Sequence, residues 1–274
     1  MAEAARRLNL TPAAVAQRIR ALELDLGQTL VARAGRTVRP TAAGRAVQLH
    51  APTLIKALRD LRATAASGMP AGQLRIGATA TALTGQIPAI LATLSARFPQ
   101  IDYFLMPGSS ADLYRALHSG DLDAALIIQP QFTLPKALGW LTLRREALLL
   151  LAPEGLPIDD IHATIREQPF IRYDRNQWGG QIIERYLRRH QLNVREWAEL
   201  DALDSIAALV NRSLGVALVP DWAPPWPDGL RLQKIVLKEG EVRHMGVLWD
   251  LSSPRIAAVR AFVETCQSLA KPSE

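Results

Sequence analysis

Residues 4–23 run Ala4-Ala5-Arg6-Arg7-Leu8-Asn9-Leu10-Thr11-Pro12-Ala13-Ala14-Val15-Ala16-Gln17-Arg18-Ile19-Arg20-Ala21-Leu22-Glu23. They read as two helices and a tight turn. Ala4, Ala5 and Leu8 share one side of a short helix over residues 2–8, and Asn9-Leu10 makes the turn. Thr11 is a good N-cap, and Pro12 falls at the first helical position, where its missing N–H costs nothing. The second helix runs to about Leu24 and sets Val15, Ile19, Leu22 and Leu26 at helical spacing on a buried face. Its other face offers Ala13, Gln17, Arg18 and Arg20, and Gly27 ends it. Beyond it, Leu30–Arg33 and Thr37–Arg39 flank Ala34-Gly35-Arg36, a hairpin with a basic tip. Helix, turn, capped helix and basic hairpin outline a winged helix-turn-helix. In that arrangement the second helix enters a DNA major groove by its N-terminal end, and the wing lies along phosphates.

Charge follows the same division. The chain has 274 residues and a formal charge of +6. Residues 1–68 hold eleven basic and four acidic side chains, a net +7, so the remaining 206 residues carry about −1. A basic arm on a near-neutral body points to a polyanion partner, although a merely solvated basic face would give the same count.

Thr41 caps a third helix that is expected to reach about Ser67. Its apolar positions Val47, Ala51, Leu54, Leu58, Leu61 and Ala65 step by alternating fours and threes, a heptad seam suited to pairing with another chain. Packing on its own domain is the competing reading. Pro52 inside this helix should bend it or remove one hydrogen bond. Ser67-Gly68-Met69-Pro70-Ala71-Gly72 then reads as a linker.

From Gln73 strands and helices alternate. Strands are expected at 74–77, 101–106, 124–128, 169–171, 197–200, 216–219 and 247–249. Helices are expected at 87–97, 110–119, 181–190, 204–212 and 254–270. Such alternation implies parallel sheets covered by helices. Ala147–Leu151 and Met245–Trp249 are the best candidates for two crossings between a hinged pair of lobes.

Several classes are excluded. Cys266 is the single cysteine, so no internal disulfide or cysteine-based zinc site can form within one chain. His50, His118, His162, His190 and His244 contain no i, i+4 pair, which leaves a histidine metal site without support. No apolar run approaches the roughly 18 residues of a membrane span, and the charged N-terminus does not read as a signal peptide. A cytoplasmic protein is expected. No nucleophile–base pair, paired carboxylates or phosphate loop stands out: Ser109 and Ser213 lack a G-x-S-x-G elbow, and Gly215 lacks the companion glycines of a dinucleotide fingerprint. Asp121 and Asp123 suit capping and turn roles better than acid–base chemistry. Neither an enzyme nor a cofactor is expected.

Taken in order, these stretches resemble the LysR-type transcriptional regulators. The 4–23 segment carries the likeness, continued by Leu26-Gly27, Leu30–Arg33 and Thr41-Ala42-Ala43-Gly44. In the body it is carried by Gly72-Gln73-Leu74-Arg75-Ile76-Gly77, Gly120-Asp121-Leu122-Asp123-Ala124-Ala125-Leu126 and Leu214-Gly215-Val216-Ala217-Leu218-Val219-Pro220. The resemblance implies an α/β effector domain of two hinged, doubly wound subdomains, like the periplasmic binding proteins. It implies a winged helix-turn-helix over 1–40, a linker and dimerisation helix over 41–70, and an effector domain over 71–274. The first lobe is expected at about 71–146 and 248–274, the second at about 147–247. Family members usually have a further helix before the Ala-Ala motif. As the chain begins inside the motif, an uncovered apolar face is expected, as from a mis-called start or a shortened protein. Ala16 and Pro12 stand where the family often has serine and glutamine, which leaves base reading to Gln17, Arg18 and backbone shape.

The resemblance also orders the candidate residues. Thr11, Pro12 and Ala13 would meet a phosphate, helped by free N–H groups of the first helical turn. Gln17 and Arg18 would read base edges of double-stranded DNA, Arg20 would meet a phosphate or stay solvated, and Arg36 and Arg39 would lie on the backbone or in the minor groove. Arg33 is ambiguous, with Glu23 a possible ion-pair partner. In α/β sheets small ligands sit beyond the carboxyl ends of strands. Here those ends are Thr79-Ala80-Thr81, Ser109-Ser110, Gln129-Pro130, Asp204-Ser205 and the approach to Gly215, all of which could equally be helix caps. Arg175 could meet an acidic ligand or Asp174; Trp178 could stack on a ligand or close a lobe. A small, anionic effector and a homodimer or homotetramer are expected partners, with no membrane. An oligomerising, ligand-binding subunit without effective DNA binding is the alternative.

Overall fold

A computed structural model describes residues 2–35, 37–65, 68–238 and 240–270. Arg36 and the linker position Ser67 lie outside them. The chain divides into two compact units, Met1–Arg62 and Ala63–Glu274.

The first unit contains α1 (Ala2–Arg7), α2 (Pro12–Leu26), β1 (Val31–Ala34), β2 (Thr37–Pro40) and α3 (Ala42–Ala65). Thr11 Oγ1 accepts the Ala14 N–H at 3.1 Å and starts α2, while Gly27 closes it in a left-handed conformation at φ 63°. β1 and β2 pair antiparallel from Val31–Pro40 to Ala34–Thr37. Thr41 Oγ1 accepts the Gly44 N–H and donates to the Thr29 carbonyl at 2.7 Å, fixing the start of α3. Gly44 permits that contact: a Cβ there would sit 2.0 Å from the Leu30 carbonyl oxygen.

Two expectations change. Val15 is buried and Ile19 half-buried, but Leu22 and Leu26 are 42% and 48% exposed. The six-residue α1 and buried Leu30 leave the last turns of α2 uncovered among the described residues. α3 continues through Pro52, so of the two effects expected there the structure shows the lost hydrogen bond, with no break in the helix. Along its seam Val47 and Ala51 are half-buried, whereas Leu54, Leu58, Leu61 and Ala65 are exposed.

The second unit has two lobes. The first holds β3 (Gly72–Ala78), α4 (Ala80–Gly85), α5 (Ile87–Arg97), β4 (Ile101–Pro107), α6 (Ser110–His118), β5 (Ala124–Ile128) and β6 (Leu138–Glu146). The second holds β7 (Leu148–Pro153), α7 (Ile161–Glu167), β8 (Pro169–Tyr173), α8 (Trp178–Arg189), β9 (Arg195–Leu200), α9 (Leu203–Asn211), β10 (Ala217–Pro220) and β11 (Leu232–Val236). The chain then returns to the first through β12 (Arg243–Asp250) and α10 (Ile256–Leu269).

The first sheet has the order β4-β3-β5-β12-β6, with β12 antiparallel to both neighbours. In the second lobe β8 pairs parallel with β9, and a parallel bridge from Phe170 to Val216 joins that pair to the β10-β7-β11 sheet. The resulting order, β9-β8-β10-β7-β11, repeats the first. Each lobe has three parallel strands, one antiparallel strand that arrives across the hinge, and an edge strand antiparallel to that one. Strands buried on both faces, such as Ala124–Ile128 and Leu148–Ala152, explain why these read as unbroken apolar runs. Three buried clusters follow: two on the faces of the first sheet, around Leu74, Ile76, Leu94, Leu126 and Phe262 and around Leu113, Leu117, Leu122 and Ile127, and one in the second lobe around Leu150, Phe170, Ile206 and Leu218.

The first crossing is Ala147 alone, between β6 and β7. The second differs from the expectation at Met245–Trp249: those residues belong to β12, which is paired on both sides within the first lobe. The return therefore lies between β11 and β12, and the first lobe resumes near 243 rather than 248. The fully buried Arg243 sets that point, because it must sit opposite Glu146.

Cys266 on α10 is 1% exposed, and burial pushes its thiol up to about 12. Thiol reagents at pH 8 should leave the native protein unmodified and label one equivalent after denaturation, followed by intact mass.

Candidate functional site

In the first unit, the N-terminal turn of α2 and its outer face are open. Pro12, Ala13, Gln17, Arg18 and Arg20 are exposed, as is Arg39 on β2. Glu3 draws Arg6 and Arg7 into ion pairs on α1, away from the capped end of α2. Glu23 does not serve as the suggested partner of Arg33. Its Oε1 accepts the N–H groups of Leu30 and Val31 at 2.7 and 3.1 Å, tying the wing's first strand to α2.

In the second unit, residues from both lobes enclose a cavity of about 730 Å³. Thr79, Ala80, Thr81, Ser109 and Ser110 contribute from the first lobe and Asp204 from the second, as the topology suggested. Ser110 is structurally engaged: its Oγ accepts the Ile128 N–H and ties α6 to the end of β5. Ser109 caps α6 through the Asp112 N–H. Thr79 differs, since its Oγ1 is buried without a partner.

Other expected residues lie elsewhere. Gln129 and Pro130 line a separate depression with Phe132, Arg185, Glu241 and His244. Ser205 is exposed one residue beyond the lining, its N–H on Asp204 Oδ1. Gly215 approaches the β8 backbone, where a Cβ would sit 2.2 Å from the Pro169 carbonyl oxygen. It is a packing glycine. Arg175 binds neither a cavity nor Asp174; it pairs with Glu199 at 2.9 Å and Glu196 at 2.5 Å. Those bonds hold the Glu199 carboxyl below its usual range. Trp178 packs with Tyr114 and Phe132, ring centroids 6.0 and 5.8 Å away, an aromatic clasp between the lobes.

The residues missed by the sequence reading supply the cavity's chemistry. Arg243 lines it at 1% exposure. Its Nε donates to Glu146 Oε2 at 2.5 Å, and Glu146 is equally buried. Its Nη2 is buried with no partner. Tyr173 lines the cavity too, its phenol pushed above its usual range by burial, with Asp201 and Glu146 adding to the effect and Arg243 opposing it. Part of the Arg243 effect is a side-chain hydrogen bond to the Tyr173 hydroxyl. A lone arginine in the stretch Glu241-Val242-Arg243-His244 gives no sequence signal of burial. Only pairing across β6 and β12 reveals it.

The segment 221–228 forms the remaining wall through Trp222, Pro225, Trp226, Pro227 and Asp228. Trp222 and Trp226 stack with centroids 3.5 Å apart, Trp226 Nε1 donates to the Trp222 carbonyl, and Lys234 Nζ lies 3.2 Å from the centre of the Trp226 ring. This aromatic face is held by its own contacts before any ligand arrives.

Asp123 accepts the Arg75 N–H at 2.8 Å and Arg255 Nε at 2.7 Å, a fold-stabilising role that matches the turn reading. Among the described residues no three His, Cys, Asp or Glu side chains gather to hold a metal, and no helix is long and apolar enough to cross a membrane.

A helix-turn-helix unit followed by a hinged two-lobed α/β domain with a cavity between its lobes defines a ligand-responsive DNA-binding regulator. The description of bacterial regulatory helix-turn-helix proteins of the lysR family matches residues 1–45, and that of the LysR substrate binding domain matches residues 67–271. The chain is 31% identical over 231 residues to the HTH-type transcriptional activator IlvY of Salmonella typhimurium, covering 79% of this chain and 76% of that one. It is 30% identical over 226 residues to the HTH-type transcriptional regulator IlvY of Escherichia coli K12, covering 79% and 75%. The structure of full-length CbnR complexed with its target DNA shares the fold, with a TM-score of 0.64 at 21% identity over 97% of this chain and 93% of that one. The chain belongs to the LysR family of transcriptional regulators, and it is not an enzyme.

Arg243→Met alone should destabilise the protein by about 3–5 kcal/mol, because it leaves a buried carboxylate unpaired. Adding Glu146→Leu should recover most of the loss. Denaturant unfolding of the two variants reads the difference.

Proposed function

We propose that this regulator binds a partly palindromic duplex as paired copies and is controlled by a small anionic effector held between its lobes. The observation that carries the effector reading is Arg243 Nη2, a buried guanidinium nitrogen without a partner on a residue that lines the cavity. An unsatisfied buried donor costs about 1–3 kcal/mol, and a carboxylate would relieve that cost. Thr79 Oγ1, likewise unpartnered, and the Tyr173 hydroxyl complete the donor set. Gln129, Pro130, Arg175, Trp178, Ser205 and Gly215 take no part in this proposal, for the structural reasons given above.

On the DNA side, Gln17 and Arg18 are the base-reading candidates, since glutamine suits adenine and arginine suits guanine. Thr11, Pro12 and Ala13 present the first turn of α2 to a phosphate, and Arg20, Arg36 and Arg39 contribute backbone contacts. One such unit binds weakly. Pairing through Val47, Ala51, Leu54, Leu58, Leu61 and Ala65 would join two half-sites and raise the effective concentration of the second. The exposure of Leu54, Leu58 and Leu61, at 69%, 49% and 66%, supports pairing with a second chain over self-packing. Binding to DNA also sets the expected location as the cytoplasm.

Gel shifts with duplexes selected from the source genome test this reading. Arg18→Ala should weaken selected sites by about 10–100-fold and relax base preference, while Arg39→Ala should weaken all sequences alike and lower the salt slope by about one. Failure to bind any duplex at low salt overturns the proposal. Leu54→Asp with Leu61→Asp should lower the sedimenting mass and abolish the preference for paired half-sites.

A further inference from the structure

The cavity's charges restrict the effector further, an inference that rests on the anionic reading above. Among the described residues lining it, Arg243 is the single cation, and half its fork is already committed to Glu146. Against it stand Asp201, Asp204 and Asp228, all contributed by the second lobe. Lys234, the neighbouring cation, lies on the Trp226 ring and does not line the cavity. The remaining walls are uncharged: hydroxyl and amide side chains such as Thr81, Thr84 and Gln177 on one side, the Trp222–Trp226 pair on the other.

We infer that the effector is a compact monocarboxylate whose remainder is apolar or carries an ammonium group, and that dicarboxylates are rejected. One carboxylate can be matched by Arg243 Nη2 and Thr79 Oγ1, whose buried atoms lack other partners. A second carboxylate finds no second cation among the described lining residues; it meets uncharged hydroxyls and the three exposed aspartates, whose like charge opposes it. Rejection by unpaired like charge is a strong form of selectivity, because the penalty falls on the wrong ligand alone. The tryptophan wall favours an aliphatic or aromatic body by burial, and an ammonium on that body would meet the aspartates favourably. A cavity of about 730 Å³ holds a molecule of metabolite size.

The test uses the full-length protein and ligands of equal carbon count: pentanoate, 2-aminopentanoate, glutarate and the neutral pentanamide, within a wider panel of small mono- and dicarboxylates. Thermal shift and calorimetric titration read binding. The expected result is that pentanoate or 2-aminopentanoate binds at least tenfold more tightly than glutarate. The Asp201→Asn/Asp204→Asn/Asp228→Asn variant should then narrow that gap at least tenfold. Glutarate binding within threefold of the better monocarboxylate overturns the inference and leaves the anionic reading intact. Pentanamide binding as tightly as pentanoate overturns the anionic reading itself. So does undiminished pentanoate binding by the folded Arg243→Met/Glu146→Leu protein. A panel with no monocarboxylate hit overturns the inference too.

Discussion

The second unit depends on one buried ion pair. Arg243 begins β12, Glu146 ends β6, and the two are register partners in the sheet. These are also the residues at which the chain leaves the first lobe and comes back to it. Removing two charges from water costs several kcal/mol per ion, and their attraction repays that only with good geometry and further hydrogen bonds. Neither side chain could therefore be left on its own side of a displaced hinge. The pair fixes the two crossing strands in register, whatever the rest of the lobes do. It also extends outward: Arg144 Nε lies 3.6 Å from Glu146 Oε1, and Arg144 Nη2 donates to the Asp221 carbonyl at 3.1 Å. Asp221 opens the tryptophan-bearing wall, so hinge and wall share one network of charge-assisted contacts.

The repeated topology of the lobes explains why a cavity forms beside that pair. In each sheet the parallel strands end at the same side, beside the antiparallel strand that arrives across the hinge. Thr79 follows β3, Gly108 follows β4, and Asp201 follows β9, so strand ends from both lobes converge on one space. Backbone groups leaving a strand end need partners, which is why hydroxyls and carboxylates collect there. Some of these residues are committed to backbone N–H groups, as Ser109 is to its helix start and Ser110 to the end of β5. Those with an atom left unpartnered, Thr79 and Arg243, are what distinguish a binding cavity from a ring of caps.

Periodicity exposed most elements but few of the contacts that matter. The helix over 87–97 and the strand over 124–128 could be placed to the residue, because their apolar patterns have a single reading. Strand β6 was not legible: its residues are half-buried along almost their whole length, so Leu138–Glu146 shows neither alternation nor an apolar run. β11 and the short helices α4 and α7 escaped for related reasons. The hinge return was placed five residues late because Met245–Trp249 looks like any buried strand, and its lobe is decided by pairing with β5 and β6. The candidate cavity was half legible. Polar residues at strand ends have a topological signature, whereas a single arginine opposite a glutamate 97 positions away has none. Arg175 illustrates the converse: its loop looked ligand-facing, but Glu196 and Glu199 on β9 were near enough to claim it.

On the proposed reading, these contacts also constrain how a ligand could act. A ligand shifts an equilibrium between lobe arrangements only through a difference in affinity between them. Thr79 belongs to the first lobe, Tyr173 and Trp226 to the second, and Arg243 to the point where the chain re-enters the first. A molecule touching all four gains its full binding energy only when the lobes hold this separation. The Tyr114–Phe132–Trp178 clasp already favours that arrangement without a ligand, aromatic pairs contributing about 0.5–1.5 kcal/mol each. An anion at Arg243 Nη2 would draw on the same guanidinium that holds Glu146, so its charge is felt at the crossing strands directly. The effector's influence on the hinge would then come less from closing an open cleft than from redistributing one buried positive charge between two carboxylates.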